Sequence, residues 1–271
     1  MTIAASPRWL ISGATRPAAP KLYCFAHGGG SAAEYIRWAR DLRSAELHAV
    51  QLPGRGSRTA EPVLTSMDAL VEAFLADVPL DGPVPYAFFG HSLGALVSYE
   101  VTRALRAAGR RLPARLIVSG FPAPHLPRKR TAEPLHRLPD TDLIEAVSRI
   151  HGGIPEEVLA SPELRMLTAT PLRADYQILE TYSWRAEDPL PVPVTVFGGR
   201  DDRVSREQLE AWQDHTTAEV TVRQFPGGHF YLRERSAVVL RALAGAVGTV
   251  DSRAHAGAGA GAGAPERSTP C

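Results

Sequence analysis

Ser92 stands in YAFFGHSLGALV, residues 86 to 97, between Gly90 and Gly94 in a G-x-S-x-G pattern. A serine hydroxyl is a poor nucleophile until an adjacent base takes its proton. Large apolar residues precede this serine and a helical apolar spacing follows it, the strand-to-helix context in which the pattern forms a nucleophile elbow. Glycine on both sides removes the clashes that would forbid the strained backbone of so tight a turn. The plainer alternative is a structural serine capping the helix.

Nine histidines compete to be the base. On a parallel α/β sheet the expected chain order is serine, acid, histidine. That order removes His27, His48 and His91, and His255 falls in the terminal tail. His229 stands in FPGGHFYL, directly after the last predicted strand, where Gly227 and Gly228 allow a close turn over the sheet edge. His125, His136 and His151 lie in a long insertion and His215 near the end of a helix, and all four read as surface or helix-face residues. The acid should follow VPVTVFGG, where Gly199-Arg200-Asp201-Asp202-Arg203 offers two carboxylates. Either could hold the imidazole tautomer. Counting from the strand end favours Asp202 and keeps Asp201 as the alternative. Attack on a carbonyl builds an oxyanion, which needs N–H donors fixed in advance. The predicted donors are the backbone of Leu93, next to the nucleophile, and of Gly28 in the Ala26-His27-Gly28-Gly29-Gly30 turn.

The elements that must carry these residues are legible as short apolar runs: LYCFA at 22–26, LHAVQL at 47–52, YAFFG at 86–90, ARLIVSG at 114–120, VPVTVFGG at 192–199 and EVTVRQF at 219–225. Each has strand length, and most are rich in β-branched or aromatic residues. Between the third and fourth, Leu93, Val97, Val101 and Leu105 recur at helical spacing and Gly109 is placed to end the helix. Strand, helix, strand implies parallel crossovers, so the fold class is α/β, a mostly parallel sheet with helices on both faces and its site at the carboxyl strand ends. The connection from Ser119 to Val192 is roughly seventy residues, too long for a loop or one helix. TDLIEAVSRI, opening on Thr141, and PLRADYQILETY, with Leu172, Tyr176 and Leu179 on one side, make this insertion helical. The expected organisation is a core of residues 1–120 and 190–250, a helical lid at 121–189, and a disordered Gly/Ala-rich tail at 251–271.

Composition supplies no competing reading. With 30 Lys+Arg against 29 Asp+Glu the chain has no dominant field, which argues against nucleic acid and anionic membranes as partners. Its two cysteines, Cys24 and Cys271, offer no disulfide framework, and no secretion signal or membrane-spanning window is apparent. The expectation is a cytoplasmic protein.

In order along the chain, CFAHGGGS, LPGRGSRTAEP, GHSLGALVSYEV, SGFPAPHL, PLRADYQILETY, VFGGRDDRVS and GGHFYL resemble the discrete type II thioesterases that accompany modular polyketide and nonribosomal peptide synthases. The resemblance covers about Leu22 to Leu232 and implies an α/β-hydrolase fold. It implies Ser92 as nucleophile, His229 as base, Asp202 as its partner, and Gly28 with Leu93 as oxyanion donors. It further implies hydrolysis of aberrant or stalled acyl groups from the phosphopantetheine arm of acyl or peptidyl carrier proteins. No metal or cofactor is expected, and a monomer is. The pattern departs from the family at Ala26 and Gly28, where Pro and Ala are common. It departs again after Asp202, where Asp-Arg-Val-Ser is one residue shorter than the usual Asp-Pro-Leu-Val-Ser, so Asp201 stays open. Arg55 and Arg58 would brace their loop through carbonyls or meet the pantetheine phosphate, and Arg128-Lys129-Arg130 would meet an acidic carrier domain. A general carboxylesterase or acyl-CoA thioesterase would use the same triad, and a non-catalytic carrier-binding module is the remote alternative.

Overall fold

A computed structural model describes residues 9–127 and 133–257, with backbone alone described from 250 onward. The six expected strands form: β2 (Lys21–Phe25), β3 (Glu46–Val50), β4 (Tyr86–His91), β5 (Arg115–Ser119), β6 (Val194–Gly199) and β7 (Val220–Phe225). A seventh, β1 (Leu10–Ser12), was not expected; three residues are too short to show a period, and its place is set by antiparallel pairing of Leu10 with Val50 and Ser12 with His48. The sheet order is β1-β3-β2-β4-β5-β6-β7, parallel apart from β1.

Nine α-helices lie among the described residues: α1 (Ala33–Ile36), α2 (Met67–Asp77), α3 (Leu93–Ala107), α4 (Asp140–His151), α5 (Glu156–Ala160), α6 (Pro162–Thr181), α7 (Arg206–Glu210), α8 (Tyr231–Glu234) and α9 (Ser236–Gly257). None is long and apolar enough to cross a membrane. Because side chains alternate along a strand, β4 feeds two cores at once. Phe88 packs with Phe25, Phe74 and Leu96 on one face, and Phe89 packs with Tyr35, Trp38 and Leu243 on the other. The central strand is therefore covered by helices on both sides, and its only outlet is its carboxyl end.

That end runs straight into α3, which buries Leu93, Val97, Val101 and Leu105 as the spacing requires. The helix closes with Gly109 at φ +63°, its N–H on Arg106 and that of Arg110 on Leu105, a glycine-terminated end.

The long connection between β5 and β6 carries α4, α5 and α6, with a small core of Leu143, Ile144, Val147, Leu172 and Tyr176. Its helices start earlier than the sequence indicated. α4 begins at Asp140 behind Pro139 with no side-chain cap, so Thr141 lies inside the first turn, not at its threshold. α6 begins nine residues before Pro171: Ser161 caps it by accepting the Leu164 N–H, Pro162 fits its first turn, and Pro171 is absorbed at the expense of one helical hydrogen bond. Leu179 packs on the main core while Leu172 and Tyr176 face the insertion, so the expected single apolar side serves two bodies. α9 continues to Gly257, into the stretch expected as a tail. The rest of that stretch, and Arg128-Lys129-Arg130, lie outside the described residues.

Candidate active site

At the carboxyl end of β4 the backbone of Ser92 adopts φ +54°, ψ −119°, the sole non-glycine positive φ among the described residues. This conformation is strained for any residue with a Cβ. The flanking glycines are required by contact: a Cβ on Gly90 would sit 2.0 Å from the Gly94 carbonyl oxygen, and one on Gly94 2.2 Å from that of Phe25. The Ser92 N–H donates to the Ser119 carbonyl at 2.8 Å, which pins the elbow to the end of β5.

The acid and histidine loops meet at the ends of β6 and β7, paired in register through Gly199 and Phe225. A Cβ on Gly199 would lie 2.3 Å from the Gly228 carbonyl oxygen, so the two turns are in direct backbone contact. Asp202 and His229 are brought together: Oδ2 lies 2.9 Å from Nδ1, with their side chains 2% and 6% exposed. The other Asp202 oxygen accepts the Arg203 N–H at 2.6 Å. Asp201 points elsewhere, is exposed, and accepts the Gly227 N–H at 3.2 Å. One aspartate thus holds the ring and its neighbour holds the loop that presents the ring. His229 Cε1 lies 3.4 Å from the Cβ position of Gly120, the residue after Ser119, so Ser92 and His229 gather over the end of β5. No hydrogen bond joins Ser92 Oγ to His229 Nε2 in this state; such contacts often tighten only around substrate.

Among the described residues no acceptor takes the Gly28 or Leu93 amide, whereas the next amide, Gly29, donates to Asp175 at 2.7 Å and Gly30 to the His27 carbonyl at 2.9 Å. Leu93 opens α3, where the first amides of a helix lack internal partners and carry its positive dipole end. A cavity of about 220 Å³ adjoins this turn, bounded by His27, Gly28, Leu172, Gly153, Phe230 and Arg233. Arg233 closes one side of it, stacked 4.4 Å over Phe230, paired with Glu34 and donating to the Gly153 carbonyl at 2.7 Å.

Two rings flank His229 that its sequence context does not reveal. His91 lies on one side at 4.9 Å between centroids, and His151, from the end of α4, at 4.4 Å. His91 is fully buried and hydrogen-bonded to Ser119, which also meets the Tyr231 hydroxyl. Burial first, then the neighbouring His229, pushes His91 well below the usual histidine range and His151 down to about 4. Burial likewise lowers His27 to about 3. These three imidazoles are neutral at pH 7, so a proton arriving on His229 meets no second cation among them. The reading of His151 as a surface residue is corrected here; its clue was the Gly152-Gly153 pair that turns the chain under Phe230. His215 is also internal, 2.8 Å from Tyr99 Oη and 2.7 Å from His125, with its ring against Trp212. His136 meets Glu180 at 2.6 Å. Arg58 donates to the Gln51 carbonyl and Arg55 to that of Gly30, the bracing role.

The model of the Thioesterase domain family matches residues 20–247. The chain is 35% identical over 230 residues to the gramicidin S biosynthesis protein GrsT of Aneurinibacillus migulanus, covering 84% of this chain and 89% of that protein. It is 38% identical over 220 residues to the thioesterase PikA5 of Streptomyces venezuelae, covering 80% and 77%. Among solved structures, the type II thioesterase BorB from the borrelidin biosynthetic cluster superposes with a TM-score of 0.77 at 35% identity, over 88% of this chain and 97% of that one.

Proposed function

The chain belongs to the thioesterase family, and on that premise we propose that it hydrolyses acyl thioesters on the phosphopantetheine arm of carrier proteins, clearing aberrant or stalled groups from a polyketide or nonribosomal peptide synthase. The observation that carries the reading is the strained Ser92 elbow beside the buried Asp202–His229 pair. With Nδ1–H directed at Asp202, Nε2 is the lone-pair nitrogen and accepts the Ser92 proton as Oγ attacks the thioester carbonyl. The negative charge that develops on the carbonyl oxygen is met by the Gly28 and Leu93 amides. Collapse breaks the C–S bond, and the pantetheine sulfur leaves with the proton from His229. A water then repeats the sequence on the acyl-serine, its proton going to His229 and back to Ser92 Oγ as the acid departs.

The insertion serves as the lid of this site, and the small cavity beside Gly28 suits the slender arm or a short acyl group. The partner is an acyl or peptidyl carrier domain in the cytoplasm, and the enzyme acts as a monomer. The test is hydrolysis of acetyl- or propionyl-loaded carrier protein by wild type and Ser92→Ala. Turnover is expected for the first and none for the second at unchanged fold. Retained turnover by Ser92→Ala removes the nucleophile, and a preference for oxygen esters over carrier-bound thioesters removes the proposed substrate class.

A further inference from the structure

The oxyanion turn does not hold its shape alone. Its Gly29 amide is bonded to a carboxylate from a helix of the insertion: Asp175 Oδ2, on α6, accepts at 2.7 Å. Asp175 is fully buried, and Arg55, from the loop after β3, grips it with both arms of its fork at 2.5 and 2.7 Å. The same guanidinium donates to the Gly30 carbonyl at 3.2 Å. One ion pair thus fixes two peptide units of the turn, the one that carries the Gly29 amide and the one that carries the Gly30 carbonyl. Packing follows the same line: Asp175 Cβ lies 3.7 Å from the Cβ position of Gly28, and Leu172 would meet a Cβ on Gly29 at 2.8 Å.

A buried ion pair is a poor device for stability, because desolvating both charges offsets much of their attraction. It is a good device for geometry, since a guanidinium and a carboxylate joined by two parallel hydrogen bonds have little freedom. We infer that Asp175 and Arg55 are positioning residues for the oxyanion donor Gly28, so that α6 belongs to the catalytic frame and not to the movable part of a lid. The inference rests on the proposed role of Gly28. Taking the Gly29 amide also has a selective consequence: the carboxylate engages the one neighbouring donor that could compete for the oxyanion, and leaves the Gly28 amide free.

The test compares wild type, Asp175→Asn, Arg55→Lys and the double variant Arg55→Gln/Asp175→Asn, which leaves no lone buried charge should Asp175→Asn alone fail to fold. Steady-state hydrolysis of acetyl-N-acetylcysteamine gives kcat and KM per folded molecule, with the folded fraction set by circular dichroism. Affinity for an alkyl trifluoromethyl ketone, whose tetrahedral adduct carries the oxyanion, is measured beside it. The expected result is a fall of ~10² in kcat, the scale of losing one oxyanion donor, with KM within about threefold and a parallel loss of ketone affinity. Arg55→Lys, which keeps the charge but not the fork, should fall between wild type and the double variant. Unchanged kcat and ketone affinity per folded molecule, or a rise in KM alone, would overturn the inference even if the variants are less stable. Failure of the underlying reading is separate: wild type itself would then bind no ketone or hydrolyse no thioester.

Discussion

Replacing each of the two adjacent aspartates by asparagine separates orientation of the imidazole from support of its loop. Asp202 is 2% exposed at its side chain and lies 2.9 Å from His229 Nδ1. An asparagine there is nearly isosteric, but its NH₂ can face the ring and place the imidazole proton on Nε2. That nitrogen then has no lone pair for the Ser92 hydroxyl. Loss of the correct tautomer lowers kcat about 10⁴-fold in the serine protease case, equivalent to ~5.4 kcal/mol at 1.36 kcal/mol per tenfold. Asp201 is exposed and makes one 3.2 Å side-chain contact, with the Gly227 amide. An amide oxygen can still accept there, so Asp201→Asn should alter stability by about 1 kcal/mol at most and kcat by less than about threefold. Both variants would be assayed on acetyl-loaded carrier protein at matched folded fraction. If Asp201→Asn proved the more damaging, or Asp202→Asn stayed within tenfold of wild type, the assignment of the acid would be wrong.

The strained elbow predicts that Ser92→Gly, inactive like Ser92→Ala, is the more stable of the two by ~1 kcal/mol or more, a rise of a few degrees in Tm; equal melting would mean that φ +54° carries no strain. Gly90→Ala must place a Cβ 2.0 Å from backbone and should lose more than about 3 kcal/mol or fail to fold, whereas Gly245→Ala, exposed within α9 with open space around it, should gain a few tenths to ~1 kcal/mol; urea titration distinguishes them. Burial holds His27 at about 3 and His215 at about 4 in the fold, below the ordinary value near 6.5 of the unfolded chain. Between pH 6.5 and 5 the unfolded state therefore binds more protons, and stability should fall on acidification by up to ~1.4 kcal/mol per pH unit for each histidine; a Tm flat across that window would contradict their burial as neutral rings.

The parts legible in the sequence are those whose physics is local. G-x-S-x-G at the end of an apolar run, the four-residue repeat after it, and the glycine turns before His229 each announce a conformation within a few residues. Counting from the strand end favours Asp202 without excluding Asp201. The rest depends on how the β6 turn sits against the β7 turn, where Gly199 lies close to Gly228, His229 meets Asp202 and Gly227 meets Asp201. His151 and Asp175 were invisible for the same reason at longer range. One reaches His229 from 78 positions earlier in the chain and the other reaches Gly29 across 146, and a helix face carries no mark of what will lie opposite. β1 was missed because its three residues acquire strand character only through β3.

α6 packs in the insertion through Ala169, Leu172 and Tyr176 and reaches the main core near its end, where Ile178 is buried and Leu179 packs. The insertion is consequently not a cassette. Exchanging everything between β5 and β6 with a relative, in order to trade acyl preference, would remove a wall of the core and the carboxylate under Gly29 together. A transplant confined to α4 and α5, residues 140–160, would leave both in place, and it is there that recombination between relatives could reshape the entrance while preserving the means to react.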